Sequence, residues 1–220
     1  SGFVFNFPDL TSCQTSSAVS IQAVRTDTTT QTCAGNSQFS NTSTDVSFWS
    51  SYSNPATGTE LVNLSGTDIA TSSPGTGISL NFDTTATASF TVNYPDAGQM
   101  LLNARYEGAV GANDEGLVLF GNDSFVASPV GLCIYSDDAN ASCVSGDGSC
   151  SEFRSVDQNF NLKIKAACWE SAGDTDFCSG NLVTPNYQQN GIPISHSLVA
   201  PAGGSSGTIG VGAIDMVGAD

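Results

Sequence analysis

Apolar residues along this chain recur in short alternating runs and almost never at helical spacing. Thr, Val, Ile, Phe and Tyr fill the runs, while Gly, Pro, Asn, Asp and Ser separate them. That is the pattern of half-buried strands joined by turns. It predicts strands over residues 18–25, 46–51, 60–64, 77–82, 86–94 and 98–106. A second set is predicted over 117–119, 124–135, 159–168, 194–199 and 208–216. The opening "GFVFNFP" reads either as a first strand or as an inherited linker. Closely spaced strands without intervening helices point to an all-β protein built of antiparallel sandwiches.

The pattern also repeats. "VSIQAVRTDTTTQTCAGN" (19–36) is echoed by "LKIKAACWESAGDTDFCSGN" (162–181), each a strand, a polar loop, and a cysteine followed by a small residue and Gly-Asn. The first copy runs on to "TASFTVNYPDAGQMLLNARYEG" (87–108), two alternating strands around a Tyr-Pro-Asp-Ala-Gly turn. The second reaches "GTIGVGAIDMVGAD" (207–220) and stops where a final strand is expected. The expectation is two tandem immunoglobulin-like antiparallel β-sandwich units, 1–110 and 111–220, with the second truncated. The join falls in the Gly-, Asn- and Asp-rich stretch 108–122.

Seven cysteines change the picture from sheets alone to stapled sheets. None forms a CxxC pair and there is one histidine, so a zinc cluster fits poorly. Disulfides across loops fit better and place the chain in an oxidising compartment. Sequence proximity pairs Cys13 with Cys33 and Cys168 with Cys178. Either Cys143–Cys150 or Cys133–Cys143 is the third bridge, and the odd count leaves one thiol over.

Charge narrows the function. Five Lys and Arg against 21 Asp and Glu give a net charge of −16, which excludes nucleic acid as a partner and disfavours an anionic membrane surface. No run approaches the roughly 18 apolar residues of a membrane span, so membrane insertion is not expected. The low charged fraction, 12%, leaves Ser, Thr, Asn and Gly to solvate the sheets.

Candidate chemistry is sparse. His196, the one imidazole, lies in "PISHSLV", an apparent strand, with no nucleophile elbow anywhere. No pair of acids stands out for glycoside hydrolysis. Calcium is a better match: Asp137 and Asp138, Asp147, and Asp174 and Asp176 sit in Gly-containing loops, and hard cations take such oxygen ligands. The competing reading is that Asp and Gly are ordinary turn residues. Trp49 and Tyr52, three apart in "SFWSSYSNP", and Trp169 are candidate platforms for sugar rings, against the alternative that a Trp plugs the sandwich core.

Several stretches resemble a known family: "AVSIQAVRTDTTTQTCAG", "VSFWSSYSNPATGTELVNLSG", "GISLNFDTTATASFTVNYPDAGQMLLNARYEG", "SFVASPVGLCIY" and "NFNLKIKAACW…TPNYQ". In this order they are similar to the conserved domain of unknown function in large surface proteins of the mannose-sensitive haemagglutinin (MSHA) type IV pilus system. The resemblance implies an extracellular location on a bacterial surface or pilus, an adhesive role without defined catalytic residues, and a chain that is a piece of a longer protein. Its implied partners are the other domains of that protein, pilus subunits and surface glycans. The alternatives are a pilus-assembly component completed by a partner's strand, and a secreted glycan hydrolase.

Overall fold

The computed structural model describes every residue except Thr28, Thr30, Gln31, Val144, Gly146, Val156, Ala200, Pro201, Ala219 and Asp220. The polar loop of the first repeat, the acidic loop 145–149 and the tail of 207–220 therefore lie partly outside the described residues. In chain order the strands are β1 (Gly2–Asn6), β2 (Leu10–Thr11), β3 (Val19–Thr26), β4 (Cys33–Gly35), β5 (Ser43–Asn54), β6 (Asn63–Leu64), β7 (Thr67–Asp68) and β8 (Thr76–Asn81). They continue with β9 (Thr87–Phe90), β10 (Val92–Asn93), β11 (Gly98–Glu107), β12 (Val118–Ser128), β13 (Gly131–Tyr135), β14 (Lys163–Ala167), β15 (Gln188–Pro193) and β16 (Ala213–Val217). The protein is all-β, with one short 3-10 turn at Ser37–Phe39 among the described residues.

The first unit is a sandwich of two main sheets. One is β1-β3-β4, with β9 also pairing β3; the other runs β2-β12-β11-β5-β8. Alternation sets which side is buried. On β3, Val19, Ile21 and Ala23 face inward; on β5, Val46 and Phe48; on β11, Met100, Leu102 and Ala104. These positions interlock with Leu119, Phe125 and Ala127 of β12 in one apolar core. Phe39, buried within it, makes edge-on contact with Phe3, Phe82 and Tyr106, a geometry that aromatic quadrupoles favour.

"GFVFNFP" is a first strand: β1 pairs antiparallel with β3 along its full length, and Phe3 and Phe5 enter the core. β12 pairs with β11 over ten residues and with β2 at its end. The first unit thus runs through Ser128, beyond the join expected at 110. The Gly-rich stretch 108–117 is the loop between two adjacent strands of one sheet.

Beyond Ser128 the described residues form two antiparallel pairs, β13–β14 and β15–β16, where a second sandwich was expected. Their shared core is small: Ala166, Ile192 and Met216, with Leu132, Ile164, Tyr187 and Ile214 packed against it. A core this size stabilises little by itself, and cross-links commonly compensate in such units. The last predicted strands shift accordingly. Residues 194–199 are not a strand; β15 precedes them and pairs with β16.

The three disulfides are Cys13–Cys168, Cys133–Cys178 and Cys143–Cys150, and Cys33 is free and exposed. The expected Cys13–Cys33 and Cys168–Cys178 pairs do not form. Cys33 lies opposite Thr26, at the far end of the eight-residue β3, roughly 20 Å along the strand from its start. Cys13 sits beside β10 instead, donating its N–H to the Tyr94 carbonyl at 2.9 Å. Cys178 is carried onto β13, where Cys133 is buried and Phe177 packs against Gly131. Of the two third bridges left open, Cys143–Cys150 is the one made.

Candidate functional site

A cluster of buried polar groups lies where the second unit meets the first, around the Tyr94-Pro95-Asp96-Ala97-Gly98 turn between β10 and β11. Ser12, fully buried, donates its hydroxyl to the Asp96 carbonyl at 2.8 Å, and its own carbonyl accepts the Trp169 N–H at 3.0 Å. One residue further on each side, Cys13 and Cys168 are bonded to each other. From the second unit, the Asn186 N–H donates to Asp96 Oδ1 at 2.9 Å, and the same oxygen accepts the Ala97 N–H at 2.7 Å. Gly58 completes the closure: a Cβ there would stand 2.4 Å from the Tyr52 ring and 2.3 Å from the Asn186 amide.

Asp96 is fully buried, and its second oxygen, Oδ2, has no partner. Burial holds its carboxyl above the usual range; the two N–H donors pull the other way, and Glu60 pushes it up further. Burial and then Asp96 itself hold the Tyr94 phenol far above its ordinary value. Tyr52 is raised by burial, by Glu60 and by Asp96, and its hydroxyl donates to the Glu60 carbonyl at 2.7 Å. Asp96 is closed off from solvent, and its hydrogen bonds fasten the two units together. A cleft of about 300 Å³ opens next to it, lined by Asn54, Gln99, Ser128, Asn186 and Gln188, with no charged side chain.

The acids singled out from sequence do not converge. Asp137 pairs with Lys163 at 2.5 Å and Asp138 with Arg154 at 2.6 Å. Asp147 accepts from the Ser149 backbone and hydroxyl, Asp174 from the Asp176 N–H and the Asn181 amide, and Asp176 from the Cys178 N–H. Each is occupied as an Asx-turn acceptor or ion-pair partner. Among the described residues no three His, Cys, Asp or Glu side chains gather as a metal site. His196 is exposed, outside any strand, with Nε2 2.8 Å from the Gly207 carbonyl.

The aromatic candidates separate as well. Trp49 and Tyr52, three apart on β5, fall on opposite faces. Tyr52 packs against the core, whereas Trp49 lies half-buried on the outer side, beside Phe120 with ring centroids 6.1 Å apart. Neither Trp is a core plug; Tyr94 and Phe48 are the largest fully enclosed side chains. Trp169 belongs to the junction. Sequence reasoning passed over Ser12, Asp96 and Asn186, because an Asp in a Pro-Asp-Ala-Gly turn is indistinguishable from a solvated turn residue until its neighbours are known. Phe120 gave only the weak signal of an aromatic at an outward position.

No helix among the described residues is long and apolar enough to cross a membrane. No curated protein and no solved structure matches the chain. Residues 1–122 match the family described as a domain of unknown function (DUF6701), first Ig-like domain, and residues 128–219 match the second domain of the same family. The first match ends within β12 and the second begins at the last residue of that strand, Ser128. The chain therefore belongs to the DUF6701 family, of which it carries the first, immunoglobulin-like domain and the second domain.

Proposed function

We propose that this chain is a non-catalytic module of an extracellular bacterial surface protein, associated with a pilus, which holds two β units in one fixed orientation and presents their faces for adhesion. The observation that carries this is the junction, where a disulfide, the Trp169–Ser12 hydrogen bond and the Asn186–Asp96 hydrogen bond all cross between the units. Units in one chain usually move relative to one another unless their interface is extensive, and a cross-link at the point of contact removes that freedom. Three disulfides agree with an oxidising, extracytoplasmic setting. The resemblance to MSHA-encoded surface proteins supports the pilus association.

Residual dipolar couplings of the oxidised chain, compared with a Cys13→Ser/Cys168→Ser variant, test the reading. One alignment tensor for both units is expected in the oxidised chain, and two in the variant. Two tensors in the oxidised chain would overturn it.

A second reading, a structural part of the pilus completed by a strand from a partner, is favoured by one observation. The second unit has a groove of about 1000 Å³ beside β14 and β16, bordered by Phe160, Leu162, Val211 and Ile214. Under that reading the chain self-associates in sedimentation velocity; under the first it remains a monomer.

A further inference from the structure

The outer face of the five-stranded sheet holds a second arrangement that the junction does not use. Antiparallel register places Trp49 of β5, Asn103 of β11 and Asn122 of β12 in one row. Phe120 and Arg105 stand in the next row. The Trp49 and Phe120 rings, one strand removed from each other, meet across β11 at 6.1 Å and an interplanar angle of 35°. Asn103 lies between them and is only 6% exposed although its position faces outward. Its amide donates to the Trp49 carbonyl at 3.4 Å, which ties the strand that carries the indole to the middle of the sheet. Phe120 is 47% exposed, an unusual placement for a ring whose other sheet partners are polar.

Charge selects the occupant. On the outer side of β5, β11 and β12 the charges near this pair are Arg105 and Glu107, which neutralise each other at 2.5 Å, and Asp45 at the margin of β5. Hydroxyls and amides supply most of the rest, with Val118 beside Phe120 and Leu101 and Val126 further along as apolar points. A protein–protein interface is usually anchored by a larger apolar centre than one aromatic pair. A sugar ring, by contrast, offers an apolar C–H face for stacking and a rim of hydroxyls for amides, in one flat unit. The net charge of −16 sets up a potential that repels anionic polysaccharides at moderate salt.

We propose that this face, with Trp49 and Phe120 as the stacking platform and Asn122 and Arg105 as polar neighbours, is a binding surface for neutral carbohydrate. Trp49 and Phe120 already lie side by side on hydrogen-bonded strands, so the platform is formed before the ligand arrives. This assignment is independent of the junction and stands whether or not the two units share one orientation.

The test is binding of the full chain to an array of neutral and anionic glycans, as wild type, Trp49→Ala, Phe120→Ser and, as a control at the junction, Trp169→Phe. Thermal melts establish that each variant is folded. Retention of at least one neutral glycan is expected, with loss of about tenfold or more in Trp49→Ala and Phe120→Ser and no change in Trp169→Phe. Should Trp49→Ala fail to fold, Phe120→Ser carries the test, since that ring lies outside the core. Three results would overturn the proposal: no neutral glycan bound, binding indifferent to both substitutions, or binding confined to anionic glycans. Concentration-dependent dimerisation abolished by Phe120→Ser would overturn it too, by giving the face to a second copy of the chain.

Discussion

Asp96 shows how a single residue couples stability to its surroundings. Its carboxyl is raised by burial in the folded chain, so the native state binds the proton more tightly than the unfolded state does. The stability it contributes is fully present below the ordinary carboxylate range and is lost as pH rises through the raised folded value. Asp96→Asn keeps an oxygen for the Ala97 and Asn186 N–H groups and removes the buried charge. The variant is expected to be more stable at neutral pH by about 1 kcal/mol, or about 2–4 °C in Tm. Asp83, Asp138 and Asp147 are held low by hydrogen bonds from Thr85, Asn140 and Ser149 respectively, and weaken the fold in acid. Comparing melts of wild type and variant from pH 3 to 7 isolates Asp96: the gain should vanish toward pH 3, and a constant gap would show that its charge is not the cause. A second residue-scale expectation concerns Cys33. Thiol titration of the unreduced native chain should find one reactive group per molecule, lost in Cys33→Ser. These two residues were illegible for the same reason: burial of an aspartate and pairing of a cysteine are decided by strands distant in sequence.

At the scale of elements, legibility followed amphipathicity. β3, β5, β8 and β11 alternate sharply, as Val19, Ile21 and Ala23 do, and the expected runs fall on the observed strands to within a few residues. β15 reads Gln-Gln-Asn-Gly-Ile-Pro, with one buried residue. No alternation marks it, and it exists because β16 supplies partners across an irregular register. Gly121, Asn122 and Asp123 interrupt the apolar pattern of β12, so the sequence predicts it as two fragments. Yet Gly121 is there for contact: a Cβ would stand 2.3 Å from the Phe3 carbonyl oxygen and 2.7 Å from the Phe3 Cβ. Only a glycine lets β1 lie so close to β12 and close that side of the sandwich. Gly121→Ala must push β1 outward, and is expected to cost about 1–3 kcal/mol, read as a fall in the denaturant midpoint at unchanged slope. A neutral result would mean that β1 has room to move.

For the molecule as a whole, the bridge between Cys13 and Cys168 spans 155 residues, and in the loop-closure picture a constraint of that length stabilises by about 5 kcal/mol. It also decides what happens when the chain is pulled, as a segment of a surface fibre would be. Tension entering at one end and leaving at the other passes through the sulfur–sulfur bond and bypasses everything between. Omitting those 155 residues leaves ~65 of the 220 able to pay out, or ~220 Å at ~3.4 Å per residue. With all three bridges reduced, the whole chain could pay out, to ~750 Å. Single-molecule extension in the presence and absence of reductant should show these two contour lengths. Of the first domain, β1 and β2 precede Cys13 and would take the load and peel away; the rest, with its sheet face and aromatic pair, would be bypassed while the tether around it stretches.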